Sequence, residues 1–130
     1  MITEDFCSFE VAKLLKEKGF DELCIFKYNS EGVRMKAGVA IDKWQNSELD
    51  DDECSCVSHQ MAMKWLREVH NIGIFPSTYT HISDRKVIHS YGTAIINLKT
   101  YELMTDSYLS NDTYEDAVET AIKYCLENLI

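Results

Sequence analysis

Segments with the periodicity of an amphipathic helix alternate along this chain with segments that have the periodicity of a strand. Three stretches each begin with a capping residue and then carry apolar residues at helical spacing. They are Ser8 to Lys18, Ser58 to His70 and Asp112 to Leu129. The third is the clearest, because Asp112 and Thr113 are each followed three residues later by a carboxylate that could complete a capping box. The sequence therefore predicts three amphipathic helices.

The segments between these helices alternate apolar and polar residues with period two, as half-buried strands do. The predicted strands are Leu23 to Tyr28, Val33 to Ile41, Ile72 to Thr80, Val87 to Ile96 and a weak one at Glu102 to Thr105. Pro76 cannot donate to a sheet ladder, so its strand is expected at an edge or at a bulge. Gly92 marks a second expected bulge.

The order of these elements, α-β-β-α-β-β-(β)-α, predicts an α+β fold in a single domain over residues 1–130. Strands that follow one another through short turns pair antiparallel. We expect a sheet of four to five strands with the three helices packed mainly on one face.

The chain carries a formal net charge of −9, and this negative charge limits the classes of partner that it can bind. Such a charge disfavours direct binding to nucleic acid. No apolar run is long enough to span a membrane, and Glu4, Asp5 and Glu10 stand where a signal peptide would be basic and apolar. A cytoplasmic location is therefore expected, and the five cysteines are expected to be free thiols.

The spacing Cys54, Cys56, His59 is the feature of this sequence that most resembles a metal site. Thiolates and imidazole suit zinc, but this spacing is not one of the common structural patterns and lacks a fourth ligand. We expect no metal and no cofactor there, with a small thiol- or zinc-dependent enzyme as the alternative. His81 and His89 could meet across a hairpin, but no nucleophile motif accompanies them.

Aromatic residues gather in the second half of the chain and suggest an interface. The candidates are Phe75, Tyr79, Tyr91 and Tyr101, with Tyr108 following them. Tyrosine on an exposed sheet face supplies contact area at a small cost in entropy. Core packing or cross-strand pairing is the alternative. These residues are consistent with a protein partner or with self-association.

Three blocks of sequence resemble a family of short proteins of unassigned function from gut Bacteroides-type bacteria, their phages and mobile elements. The blocks are EVAKLLKEKGFDE (Glu10 to Glu22), QMAMKWLREVHNI (Gln60 to Ile72) and TYEDAVETAIKYCLENLI (Thr113 to Ile130). The resemblance implies a cytoplasmic α+β domain of phage or prophage origin, and it carries no site residue over to this chain.

The sequence as a whole favours a small non-enzymatic protein that binds another protein or assists it. An acidic phage protein could also act by imitating nucleic acid, an analogy that rests on charge alone. A thiol- or zinc-dependent enzyme and a self-associating structural protein are the two alternatives.

Overall fold

The computed structural model describes residues 1–39 and 42–130, with the side chains of residues 106–110 left out. Ala40 and Ile41, at the end of a predicted strand, and the side chain of Tyr108 therefore lie outside the described residues. The α+β class is confirmed. The elements are α1 (Phe9–Glu17), β1 (Phe26–Tyr28), β2 (Arg34–Lys36), a 3₁₀ turn (Asn46–Glu48), β3 (Cys54–Ser55), α2 (His59–His70), β4 (Ile72–Ser83), β5 (Lys86–Asn97), β6 (Leu103–Asn111) and α3 (Tyr114–Asn128).

All three predicted helices form, and a hydroxyl group caps each of them. Ser8, Ser58 and Thr113 accept hydrogen bonds from backbone N–H groups three residues further on, over 3.0 to 3.2 Å. These bonds satisfy donors that would otherwise lack a partner at the first turn. Gly19 (φ 95°) and Asn71 (φ 56°) adopt the left-handed conformation at the ends of α1 and α2. In the described part of the chain, no helix has the length and apolar character needed to cross a membrane.

Within the described residues, the strands form two sheets of three rather than one sheet of four to five. The first sheet has the order β2-β1-β3, and β3 was not predicted because it is only two residues long. The predicted strand Val33 to Ile41 is reduced to β2, whose three residues are all exposed. Its apolar neighbours Val33 and Val39 are exposed as well. The prediction that this strand has one buried face is therefore wrong for its described residues, since Val33, Met35 and Val39 are all exposed.

The second sheet has the order β4-β5-β6, and its longest part is the hairpin of β4 and β5. Twelve residues of β4 pair with twelve of β5 without a shift in register. Asp84 (φ 50°) and Arg85 (φ 63°) form the connecting turn, which fits the twist of a two-residue hairpin. The predictions for Pro76 and Gly92 are confirmed, since β4 lies at an edge and the pairing of β5 with β6 shifts at Gly92.

The core lies where α2 and α3 pack on the base of the second sheet and α1 packs on β3 and α3. Trp65, Leu66, Ile122 and Leu126 are buried there, as the helical spacing predicts. Three further positions that the spacing places inside are exposed, namely Met61, Val69 and Tyr114. They lie at the margins of the apolar stripes, where burial is incomplete.

The acidic loop, residues 45–53 before β3, carries five carboxylates. Such a block of like charge predicts a solvated and mobile segment, but lysines hold this one in place. Lys16 Nζ donates to the carbonyl groups of Asp50 and Glu53 over 2.7 and 2.6 Å. Lys27 Nζ lies 2.7 Å from Glu53 Oε2. This ion pair and its hydrogen bond lower the pKa of Glu53. The loop is therefore part of the folded body.

Candidate functional site

The far halves of β4 and β5 project from the body as a two-stranded arm, which we define as residues 78–91. Every residue from Thr80 to His89 is exposed, on both faces of the hairpin. Three of these residues are large and apolar: Ile82 (77% exposed), Val87 (69%) and Ile88 (41%). β6 pairs with β5 only from Tyr91 toward the body. A two-stranded hairpin is marginally stable in water by itself, so a further contact would stabilise the arm.

The outer edge of β4 offers free backbone groups at alternate residues. Opposed residues of antiparallel strands alternate between pairs that exchange two hydrogen bonds and pairs that exchange none. Leu98 N–H donates to the Asn71 carbonyl over 2.7 Å, and the register continues unshifted along β4. The backbone N–H and C=O groups of odd-numbered β4 residues therefore bond to β5, while those of even-numbered residues point away from β5. Pro76 fits this assignment because it is even-numbered and has no N–H. Within the arm, the outward groups belong to Thr78, Thr80 and Ile82.

The four aromatic interface candidates do not share one surface. Phe75 and Tyr79 lie on one face of the sheet, and Tyr91, opposite Thr78, lies on the other. Tyr101 is exposed in the connection between β5 and β6. The histidines also lie on opposite faces, because His81 pairs with Ile88 and His89 pairs with Thr80. They do not meet as a pair.

The structure brings His59 to two side chains that the sequence did not indicate. Cys7, His59 and Glu119 come from the segment before α1, the start of α2 and the middle of α3, and their ligand atoms all lie within 4.8 Å of one another. His59 Nε2 donates to Glu119 Oε2 over 2.7 Å, and Ser8 N–H donates to Glu119 Oε1 over 2.8 Å. We call these three residues the Cys7 cluster.

Cys54 and Cys56 do not join His59 in a ligand group among the described residues, where the Cys7 cluster is the one such group found. Both lie buried at β3, where Cys54 pairs with Tyr28 and Cys56 N–H donates to the Phe26 carbonyl over 3.0 Å. No local spacing could have revealed the Cys7 cluster, since its members are far apart in sequence. The one available signal was the position of Cys7 and His59 beside the capping residues Ser8 and Ser58.

Burial controls the chemistry of the thiols. It raises the pKa of Cys7 well above its ordinary value, and the nearby Glu119 carboxylate raises it further. Burial also raises the pKa of Cys24 and Cys54 to about 11 and that of Cys125 to about 12. The reactive form of cysteine is the thiolate, so these groups are not nucleophiles at neutral pH. Burial alone would raise the pKa of Glu119, but hydrogen bonds from His59 and Ser8 outweigh it and lower that pKa.

We expect the five thiols to be reduced and to react slowly with iodoacetamide at pH 7.5 in the folded protein. After unfolding in urea all five thiols should be alkylated rapidly, because their pKa values return to the ordinary range once they are no longer buried. Mass spectrometry of timed samples would count the labels. Half-exposed Cys24 serves as an internal comparison and should react before fully buried Cys125. A disulfide in freshly purified protein, or rapid labelling of Cys7, would contradict this prediction.

Two clefts lie near charged side chains. One, of about 230 Å³, opens beside the Cys7 cluster and is lined by Asp5, Phe6, Ser8, His59, Glu115, Asp116 and Glu119. The other, of about 640 Å³, lies between α1 and the acidic loop, with Leu14 as its one large apolar residue. Sites for small organic ligands are predominantly apolar. Most of the residues that line these two clefts are instead charged.

Comparisons of the chain with protein-family models, with curated proteins and with solved structures gave no match.

Proposed function

We propose that the protein functions by contact with another polypeptide rather than by catalysis, and that the outer edge of β4 in the arm receives a strand from its partner. The observation that carries this proposal is an extended, exposed strand edge with outward backbone groups at Thr78, Thr80 and Ile82. The partner that this edge fits is β4 of a second copy of the chain.

The edge lacks the features by which proteins prevent strand addition. Such edges are commonly protected by charged side chains, proline or bulges. Residues Ser77 to Ser83 include no Asp, Glu, Lys, Arg or Pro, and their pairing with β5 is unshifted. Pro76 has no N–H to donate, so it prevents a partner strand from pairing only on the side nearer the body. A partner strand would therefore be confined to the seven residues beyond it.

The same seven residues are complementary to themselves in antiparallel pairing. If Thr80 lies opposite Thr80 of a second copy, the outward groups of Thr78 face those of Ile82, giving about six backbone hydrogen bonds. Tyr79 then lies beside His81, and serine lies opposite serine at the two ends. No like charges are brought together. The contact is isologous, as in most symmetric dimers.

The net charge of −9 does not oppose this pairing, because the arm separates the two bodies. The strand from Thr80 back to Ser77, where the arm meets the body, extends about 10 Å at the usual rise per residue, so the bodies begin about 20 Å apart on opposite sides of the contact. Charge repulsion in physiological salt decays over about 8 Å. The arm itself carries only Asp84, Arg85 and Lys86 as formal charges.

Sedimentation of the protein from micromolar to near-millimolar concentration should show a monomer–dimer equilibrium. Thr80→Pro removes an outward N–H without affecting the backbone bonds to β5, and each dimer then loses two hydrogen bonds. At about 0.5–1.5 kcal/mol each, the dimer should weaken about 5- to 150-fold. Thr80→Val is the matched control, because it keeps the backbone N–H and a branched side chain, and it should dimerise as the wild type does. Proline and valine both remove the hydrogen bond of 3.0 Å between Thr80 Oγ1 and His89 Nδ1, so this loss does not distinguish the two variants.

A shortened arm tests whether the arm is needed for folding. Deleting residues 80–83 and 86–89 joins Tyr79 and Ser90, a bonded pair, through the original turn Asp84–Arg85. Since the deleted residues are exposed, the free energy of unfolding should change by no more than about 1 kcal/mol while dimerisation is lost. A large loss of stability would make the arm a structural element. A wild-type protein that stays monomeric, or a dimer insensitive to Thr80→Pro, would overturn the proposed contact.

The cytoplasmic location and the phage or prophage origin implied by the resemblance stay predictions. A self-pairing arm is compatible with both.

A further inference from the structure

The Cys7 cluster lies apart from the arm and supports an independent inference. It combines one sulfur, one imidazole nitrogen and one carboxylate oxygen at a point where α2, α3 and the segment before α1 meet. The geometry points to a site for a zinc-like divalent ion, held by Cys7, His59 and Glu119 with a fourth position open to the adjacent cleft.

The backbone holds the potential ligands in place. The chain before α1 pairs with the chain before α2: Cys7 N–H donates to the Val57 carbonyl over 2.8 Å, and His59 N–H donates to the Asp5 carbonyl over 2.9 Å. In this antiparallel bridge, Cys7 and His59 project from the same face. Groups that orient ligands in this manner contribute strongly to metal affinity. Ser8 N–H similarly fixes one oxygen of Glu119.

The donor set selects the kind of ion. Calcium and magnesium take oxygen ligands, whereas a thiolate with an imidazole suits zinc. Ligand atoms about 2.0–2.3 Å from a tetrahedral zinc lie about 3.3–3.7 Å from one another. The ligand atoms of the cluster, all within 4.8 Å of one another, approach this arrangement. His59 and Glu119, now 2.7 Å apart, would have to separate by about 0.6 Å to admit the ion.

The surroundings of the cluster attract cations. Asp5, Glu115 and Asp116 line the cleft of about 230 Å³ that reaches His59 and Glu119. A bound ion would leave its fourth position facing this cleft, where water or a small anionic ligand could bind. Three protein ligands with one open position are typical of zinc sites that exchange ligands, while purely structural sites are closed by four. Binding displaces the thiol proton to solvent.

Titration of the reduced, metal-free protein with cobalt(II) tests this inference with an optical readout. Cobalt should bind at one equivalent and give a thiolate-to-cobalt charge-transfer band in the near ultraviolet. The visible absorption bands should have the intensity that is typical of tetrahedral cobalt. Zinc should then displace cobalt and raise the melting temperature. Cys7→Ser should abolish the charge-transfer band and weaken zinc binding by more than about 100-fold. Loss of a group that only orients a ligand lowers metal affinity about 10- to 100-fold, and loss of the ligand itself should lower it further.

Cys54→Ser and Cys56→Ser are the matched controls, because both remove a buried thiol near β3 and should leave the band unchanged. If Cys7→Ser does not fold, Glu119→Gln gives the second test: the charge-transfer band should remain while zinc binding weakens. Failure of wild-type protein to bind cobalt and zinc at micromolar concentration would overturn the inference. So would a charge-transfer band that depends on Cys54 or Cys56 instead of Cys7.

Discussion

Phe20→Ala is expected to lower the free energy of unfolding by about 3–5 kcal/mol, the range found when a buried phenylalanine is truncated. Phe20 is fully buried, and its ring meets that of Trp65 edge to face with 5.5 Å between the centroids. The substitution removes this contact and leaves a cavity beside Trp65 of α2. Urea unfolding monitored by the fluorescence of Trp65 and Trp44 would measure the loss.

Phe75→Ala is the matched control for this measurement. Phe75 is 51% exposed on β4, so the same truncation there removes much less buried surface and should cost less than about 1.5 kcal/mol. Equal losses of unfolding free energy for Phe20→Ala and Phe75→Ala would show that the core does not lie where the structure places it.

Asn46→Leu is expected to destabilise the protein by about 2–6 kcal/mol, because it leaves two buried backbone groups without partners at about 1–3 kcal/mol each. Asn46 is 5% exposed in the 3₁₀ turn. Its Nδ2 donates to the Phe20 carbonyl over 2.7 Å, and its Oδ1 accepts from Ser55 N–H over 2.8 Å. The side chain thus joins the end of α1 to β3. Thermal and urea unfolding would both report the change.

Asn128→Leu makes the same replacement at an exposed asparagine, whose Nδ2 donates to the Tyr124 carbonyl over 3.1 Å. Water can replace that bond, so the change should stay within about 0.5 kcal/mol. If Asn46→Leu proved equally mild, the two backbone groups would have found other partners.

The helices were the most predictable part of the fold, because caps and apolar spacing are local properties. Ser8 and Ser58 each begin a helix as expected, and the third helix is capped by Thr113, one residue after the predicted start at Asp112. The first sheet was less predictable: β3 has two residues, and its partner β1 is selected by tertiary contacts. Asn46 shows the same limit, since a polar residue in an acidic loop gives no local sign that it will be buried.

The candidate sites differ in how far the sequence could indicate them. Pro76 predicted an edge strand, and its even-numbered position now accounts for why proline is accepted there. The sequence also indicated His59, but only with Cys54 and Cys56. Its actual neighbours Cys7 and Glu119 are brought to it by the packing of three helices, which single-sequence periodicity does not describe.

The packing of α1 against α3 has a consequence for how the chain folds. The hydrogen bond from Ser8 to Glu119 joins residues 111 positions apart, and that from Lys18 Nζ to the Ile130 carbonyl joins residues 112 apart. Contacts between such distant residues require closure of long loops and slow the folding reaction. A ribosome adds about 5–20 residues per second, so about 5–20 seconds pass between the synthesis of α1 and that of α3. During this time the apolar face of α1 has no α3 to pack against. This part of the fold is therefore completed only after α3 has been made, and until then a chaperone can bind the apolar face of α1.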